Sequence, residues 1–377
     1  MTLRVLFIGG NGVISSAASR LAVAQGHDLT LINRGHSTLR PPIEGARTIN
    51  GDATDPASIA AAVGNGDWDV VVNFRSFTPA EVRFDVELFA GRVGQYVYIS
   101  SAAAYRKPLA RIPAVESSPL ANPAWSYAQG KADSEAVLMG QDRLPVTIVR
   151  PSHTYDATLI PMDGGWTVID RMRRGRSTIV HGDGTSLWAL THQRDLAVGL
   201  NGLFGNDRAL GEVFHITSDE ILTWDQIART LAEAAGVEAS IHHVTSDRIA
   251  REMPEWRAGL QGDKAHSVVF DNTKIKSVVP EFKAVTSFRV GASEIIEWYD
   301  ANADRRVLIH ALIWPWSASL RAKKPALERH NRSRMRAASP RWRRHRISNF
   351  VELLAVLDSS FEIVQAAGQV CQLGCQR

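Results

Sequence analysis

Residues 3–8, Leu-Arg-Val-Leu-Phe-Ile, run directly into Gly9-Gly10-Asn11-Gly12, and this junction limits the fold more than any other stretch. A short apolar run stopped by a turn reads as a strand buried on both faces. Residues 13–25 then read as a helix closed by Gly26, and residues 28–33 as a second strand. Strand, glycine loop, helix and strand within about 31 residues make one βαβ unit. Gly9, Gly12 and Ser15 stand at the spacing G-x-x-G-x-x-G, with serine in the third place. Glycine permits the tight turn and lets a pyrophosphate approach the backbone, while the following helix N-terminus offers unpaired N–H groups. A loop placed between the first strand and its helix in this way predicts dinucleotide binding by Gly9, Gly10, Asn11, Gly12, Val13 and Ile14.

The alternation continues. Strands are expected at 47–50, 68–73, 96–100 and 146–150, with helices at 56–63, 79–90 and 123–139 between them. Strands alternating with helices predict an α/β fold, a Rossmann-like doubly wound parallel sheet with helices on both faces. After Pro151 the rhythm loosens, which suggests a smaller substrate-binding portion. Helices are expected at 195–204, 223–235 with Thr223 as N-cap, and 289–302, and a strand at 212–216. The expected division is a dinucleotide-binding domain over 1–155, a substrate-binding portion over 156–303 that partly returns to the sheet, and a basic, disordered tail over 304–377.

Charge separates the tail from the body. The sequence pI is about 9.2, yet residues 304–377 hold 14 Lys and Arg against 5 Asp and Glu. The totals of 43 and 39 leave 29 basic and 34 acidic residues before them, a net of −5. The basic balance therefore belongs to the tail, where like-charge blocks favour a solvated chain, with a short amphipathic helix at 351–367 as the exception. Nucleic-acid contact is disfavoured except through that tail. Both cysteines, Cys371 and Cys375, lie there without companion ligands, so neither a metal site nor a thiol nucleophile is expected in the body. The chain opens straight into its first strand, with no charged-then-apolar leader. No apolar run approaches the roughly 18 residues of a membrane span, and a cytoplasmic protein is expected.

Cofactor choice turns on the end of the second strand. An acid there would bond the adenosine ribose and repel a 2′-phosphate, whereas this chain has Asn33-Arg34-Gly35, and Arg34 suits the phosphate. NADP is expected, with NAD as the alternative. Asp52-Ala53 follows the third strand, where Asp52 either accepts from the adenine amino group or caps the helix at Pro56. In the helix expected at 123–139, Tyr127 and Lys131 are four residues apart and share a face. A cation held beside the phenol lowers its pKa and fits it for proton exchange with a substrate hydroxyl. Tyr and Lys at this spacing also occur by chance on exposed helices.

With the glycine loop, Gly51-Asp52, Tyr127-x-x-x-Lys131 and Arg150-Pro151 in this order, the chain resembles the extended short-chain dehydrogenase/reductases, and within them the NAD-dependent epimerase/dehydratase group, over residues 1–300. The resemblance implies that Tyr127 is the catalytic acid/base and that Lys131 binds the nicotinamide ribose and depresses the tyrosine pKa. It also implies that Ser101 is the third catalytic member, with Ser100 the neighbouring candidate; adjacent strand residues face opposite sides, so only one serves.

Departures from the pattern narrow the reading. Ala102 and Ala103 stand where dehydratases of the group resemble one another in carrying Asp-Glu, which argues against a sugar 4,6-dehydratase. His153 replaces an asparagine that contacts nucleotide-sugar substrates, and is either a substrate ligand or a buried histidine. The fourth strand ends Asn73-Phe74-Arg75 instead of in small residues. Thr191 to Ala197 resembles a helix entrance at which His192 or Arg194 would face substrate phosphate. Atypical members similar to chloroplast stem-loop RNA-binding proteins share the glycine loop and the Arg-Gly after the second strand. The implied activity is an NAD(P)-dependent reductase or epimerase acting on a secondary alcohol or ketone of a sugar or nucleotide sugar, with a homodimer compatible with the outward helices. The alternative is a non-catalytic dinucleotide- or RNA-binding protein on the same fold.

Overall fold

A computed structural model describes residues 1–309 apart from 36 and 37. The tail at 310–377, with the helix expected at 351–367 and both cysteines, lies outside the described residues.

The dinucleotide-binding part is built from β1 (Arg4–Ile8), α1 (Ser15–Ala24), β2 (Asp28–Asn33), β3 (Arg47–Asn50), α2 (Pro56–Val63), β4 (Trp68–Asn73), α3 (Pro79–Phe89), β5 (Val93–Ile99), α4 (Ser126–Met139) and β6 (Val146–Pro151). The remainder adds β7 (His153–Tyr155), α5 (Trp166–Arg173), β8 (Thr178–His181), β9 (Leu187–Trp188), β10 (Leu190–His192), α6 (Gln193–Asn201), β11 (Glu212–Ile216), β12 (Leu222–Thr223), α7 (Trp224–Ala234), β13 (Ile241–Val244), α8 (Ser246–Glu252), α9 (Thr273–Val278) and α10 (Phe288–Ala301).

Seven strands form a parallel sheet in the order β11-β6-β5-β4-β1-β2-β3. Its strands are apolar on both sides, and successive residues feed two cores, because side chains alternate along a strand. Val5, Phe7, Leu29, Leu31, Val70 and Val72 pack with α1 and α6, while Leu6, Ile8, Ile32, Val71, Tyr96 and Tyr98 pack with α2, α3 and α4. β11 pairs with β6 at the edge of the sheet.

Local sequence sets the helix starts. Thr78 and Glu81 form a reciprocal capping box on α3, and Thr223 and Gln226 another on α7. Asp55, accepting from the Ala57 amide, caps α2 ahead of Pro56. Asp52 therefore does not fill the capping role left open for it; its Oδ1 accepts from the Thr54 amide at 2.9 Å and the Thr54 hydroxyl at 2.8 Å.

A second core, formed by Tyr155, Trp166, Trp188, Trp224, Phe288 and their neighbours, joins α5, α7 and α10 to the short strand pairs β7–β10 and β8–β13. These three- and four-residue strands were not expected from the sequence, being too short to show a period.

Candidate active site

All parallel strands of the sheet present their C-terminal ends at one edge, and the glycine loop leaves β1 there. Gly9 has φ +90°, a region that disfavours any side chain with a Cβ, and a Cβ on Gly10 would lie 2.4 Å from Leu31 Cδ2. Ser15 Oγ accepts from the Gly12 amide at 2.8 Å, so the serine in the third place ties the loop to the helix. Among the described residues the amides of Val13 and Ile14 have no acceptor, and Asn11 Oδ1 is buried without a partner. Free amides at a helix N-terminus over a glycine turn, beside an orphaned polar atom, fit a pyrophosphate-bearing group.

At the centre of the same edge, α4 brings Tyr127 against Ser101, which follows β5. Ser101 Oγ accepts from the Ala103 amide at 3.1 Å and lies near enough to the phenol to favour its ionised form, and Trp125 and Phe77 flank the ring with centroids 5.0 and 6.0 Å away. Lys131 does not point at the phenol as the i,i+4 spacing suggested. Its Nζ donates to Ser76 O and Ile99 O, both at 2.7 Å, and lies 4.5 Å above the Phe77 ring.

The electrostatics follow from this arrangement. Burial raises the Tyr127 pKa to about 12, with nearby Ser101 opposing and Asp263 raising it further. Lowering toward neutrality by Lys131 is thus not observed: its ammonium is spent on backbone carbonyls. Burial in turn lowers the Lys131 pKa to about 7, against the attraction of Glu81 and Glu135.

Ser100 and Ser101 separate as strand alternation requires. Ser100 Oγ donates to Glu135 Oε1. Glu135 is held by Arg150, whose Nε reaches Oε1 at 2.9 Å and whose Nη2 reaches Oε2 at 2.5 Å, in a pair that is 3–4% exposed. Arg150 also donates to the Tyr105 hydroxyl at 2.9 Å and to Glu116 O at 2.8 Å. These groups fix β5, β6 and α4 to one another beneath the site.

Residues 5–216, more than half of the chain, match the family model described as the NAD dependent epimerase/dehydratase family. The chain belongs to this family. It is 28% identical over 305 residues to 2′-dehydrokanamycin reductase of Streptomyces kanamyceticus, covering 78% of this chain and 83% of that protein. It is 27% identical over 249 residues to the chloroplast stem-loop binding protein of 41 kDa b of Arabidopsis thaliana. That match takes in 62% of this chain and spans 63% of the length of the Arabidopsis protein. An epimerase from Methanothermobacter thermautotrophicus has the same fold, with a TM-score of 0.67 at 17% identity over 81% of this chain and 94% of that one.

Within this epimerase/dehydratase-family chain, the remaining predicted residues fall in different surroundings. His153 lies on β7, where its Nδ1 accepts from Trp188 Nε1 at 3.2 Å, and burial lowers its pKa to about 3. It is a neutral imidazole. Arg194, at the start of α6, is bidentate to Glu294 of α10 at 2.6 and 3.1 Å, and His192 caps α6 through Nδ1. Asn33 Oδ1 accepts from the Gly35 amide at 3.1 Å, which turns the chain so that Arg34 stands exposed.

Sequence reading missed a buried cluster under Lys131. Asp85 of α3 accepts on one oxygen, Oδ2, from Tyr96 (2.6 Å), Ser76 (2.7 Å) and Asn73 (2.9 Å). The Ser76 carbonyl is one of the two that hold Lys131. An aspartate on the inward face of an amphipathic helix was the available signal. Among the described residues no group of His, Cys, Asp and Glu is placed to hold a metal, and no helix is long and apolar enough to cross a membrane.

Proposed function

We propose that the chain is an NADP-dependent reductase acting on a ketone, or in reverse a secondary alcohol, of a carbohydrate-type substrate. The observation that carries this is the Tyr127 phenol, half-buried beside Ser101 between Trp125 and Phe77, and held neutral. A neutral phenol is the form that gives a proton, so the resting site is set for reduction of a carbonyl. A nicotinamide dinucleotide, when bound, supplies the hydride equivalent at the substrate carbon. Tyr127 then delivers its proton to the substrate oxygen, and Ser101 Oγ holds that oxygen beside it. Lys131 would meet the nicotinamide ribose from its post on Ser76 O and Ile99 O. Ala102 and Ala103, buried in the turn after Ser101, offer no acid or base for loss of water, which disfavours dehydration. Similarity to a reductase over 78% of the chain supports net reduction over epimerisation. His153 and Arg194 remain the proposed substrate contacts, and Arg34 the contact that selects NADP.

The test is loss of reduced-nicotinamide absorbance with a panel of keto sugars. Steady consumption by the wild type, lost in Tyr127→Phe with cofactor binding intact, is expected. Isomerisation without net consumption would make the chain an epimerase.

The similarity to a stem-loop binding protein favours a second reading, a dinucleotide-fold protein that binds RNA. The net charge of −5 before residue 304 opposes it, since phosphate contacts dominate such affinity. Salt-sensitive binding of an RNA stem-loop by a chain with no turnover on any carbonyl would establish that reading instead.

A further inference from the structure

The order β4-β1-β2-β3 places the segments that follow these strands side by side. Arg75 follows β4, Gly9 follows β1, Arg34 follows β2 and Asp52 follows β3. Arg75 is aimed by its own turn: Asn73 Oδ1 accepts from the Arg75 amide at 2.7 Å and the Ser76 amide at 3.1 Å. Its stem then lies across the glycine loop, with Cγ only 2.7 Å and Cδ 3.0 Å from where a Cβ of Gly9 would stand. The missing side chain of Gly9 is what admits Arg75.

The guanidinium emerges half-buried, 5.7 Å from the Phe77 ring centroid, and within electrostatic reach of Arg34, Asp52 and Glu81. Neither Arg34 nor Arg75 donates a side-chain hydrogen bond to any described residue, although each carries a fork of N–H donors. The two nearby acids are turned elsewhere. Asp52 Oδ1 is taken by Thr54, and Glu81 Oε2 by the Phe77 and Thr78 amides and the Thr78 hydroxyl. Two like charges brought together with their donors unfilled repel, and an anion between them reverses the sign. With both carboxylates bonded by their own turns, the two guanidinium forks are the donors left open at this corner.

We propose that Arg75 and Arg34 together clamp the adenosine 2′-phosphate of NADP, so that selection against NAD rests on the end of the fourth strand as well as the second. This deepens the NADP reading above and rests on it. Arg75 is unlike the small residues expected at that place, and its stem substitutes for the side chain that Gly9 lacks. The 2′-hydroxyl of NAD would leave both forks unfilled.

Calorimetric titration of the full chain with adenosine 2′,5′-bisphosphate and with 5′-AMP isolates the one phosphate from any turnover. The wild type is expected to prefer the bisphosphate, and Arg75→Met, which keeps the stem on Gly9, to lose about tenfold or more of its affinity for the bisphosphate and little for AMP. Arg75→Lys, retaining charge without the fork, should fall between them, and guards against a misfolded methionine variant. If both variants keep the wild-type preference, or lose both ligands equally, the Arg75 assignment is overturned while the NADP reading stands. If the wild type itself shows no preference, the NADP reading fails and the clamp with it.

Discussion

Lys131 donates a 2.7 Å hydrogen bond to the carbonyl oxygen of Ile99, which lies two residues before Ser101. The cation of α4 thus fixes the end of β5 at the point where its serines diverge. Ser101 lies beside Tyr127 and accepts from the Ala103 amide, whereas Ser100 donates to Glu135.

Adjacent serines with separate duties give a paired prediction. Ser101→Ala should lower kcat by about a hundredfold, the order of one lost transition-state donor, with stability nearly unchanged. Ser100→Ala leaves a buried carboxylate oxygen short of a donor and should cost about 1–3 kcal/mol of stability, with kcat nearly unchanged. Urea unfolding and initial rates on both variants check this; exchanged phenotypes would reverse the assignment.

The cluster beneath Lys131 titrates in a predictable direction. Burial raises the Asp85 carboxyl from 3.8 to about 6, against three hydrogen bonds that lower it. A carboxyl with a raised folded pKa contributes stability that is full below the unfolded pKa and is lost as pH rises through the folded one. Relative to Asp85→Asn, the wild type should gain about 1 kcal/mol on going from pH 7.5 to pH 5, measured by urea unfolding at both values. A difference that does not change with pH would show Asp85 to be ionised throughout.

Much of this was legible in the residues. Strands β2, β3 and β4 and helix α2 fall at the expected residues, because glycine, proline and asparagine punctuate apolar runs there. The i,i+4 spacing of Tyr127 and Lys131 placed both on α4, yet the direction of the ammonium depended on Ser76 and Ile99, carbonyls that only the tertiary fold brings near. Capping at Pro56 fell to Asp55 instead of Asp52 because an N-cap must lie immediately before the first turn. The choice between Ser100 and Ser101 needed the register of β5 against α4, which no local pattern carries. The pairing of Arg194 with Glu294, a hundred residues away on α10, had no local signal.

The imidazole of His153 should not titrate in the working range. Its pKa, lowered to about 3 by burial, keeps it neutral above that value. The pH profiles of kcat/KM for the wild type and His153→Asn should therefore have the same shape between about pH 5 and 8. As a substrate contact, His153 should show its loss chiefly in KM. An inflection near 6.5 present in the wild type and absent in the variant would mean that the ring is protonated during turnover.

Glu135 and Arg150 supply the last and largest expected effect. Both side chains are nearly excluded from water, and each satisfies the other with two-point contact while Ser100, Tyr105 and Glu116 complete the set. Such a pair adds little net stability over an apolar one, because desolvation offsets the attraction, but removing a single partner leaves a buried charge uncompensated. Glu135→Leu or Arg150→Met alone should therefore destabilise the protein by about 3–5 kcal/mol. The double variant Glu135→Leu/Arg150→Met should recover a large part of that loss, since no charge is then left alone. Denaturant midpoints for the four proteins form the cycle, and strictly additive losses would mean that the two groups do not depend on each other.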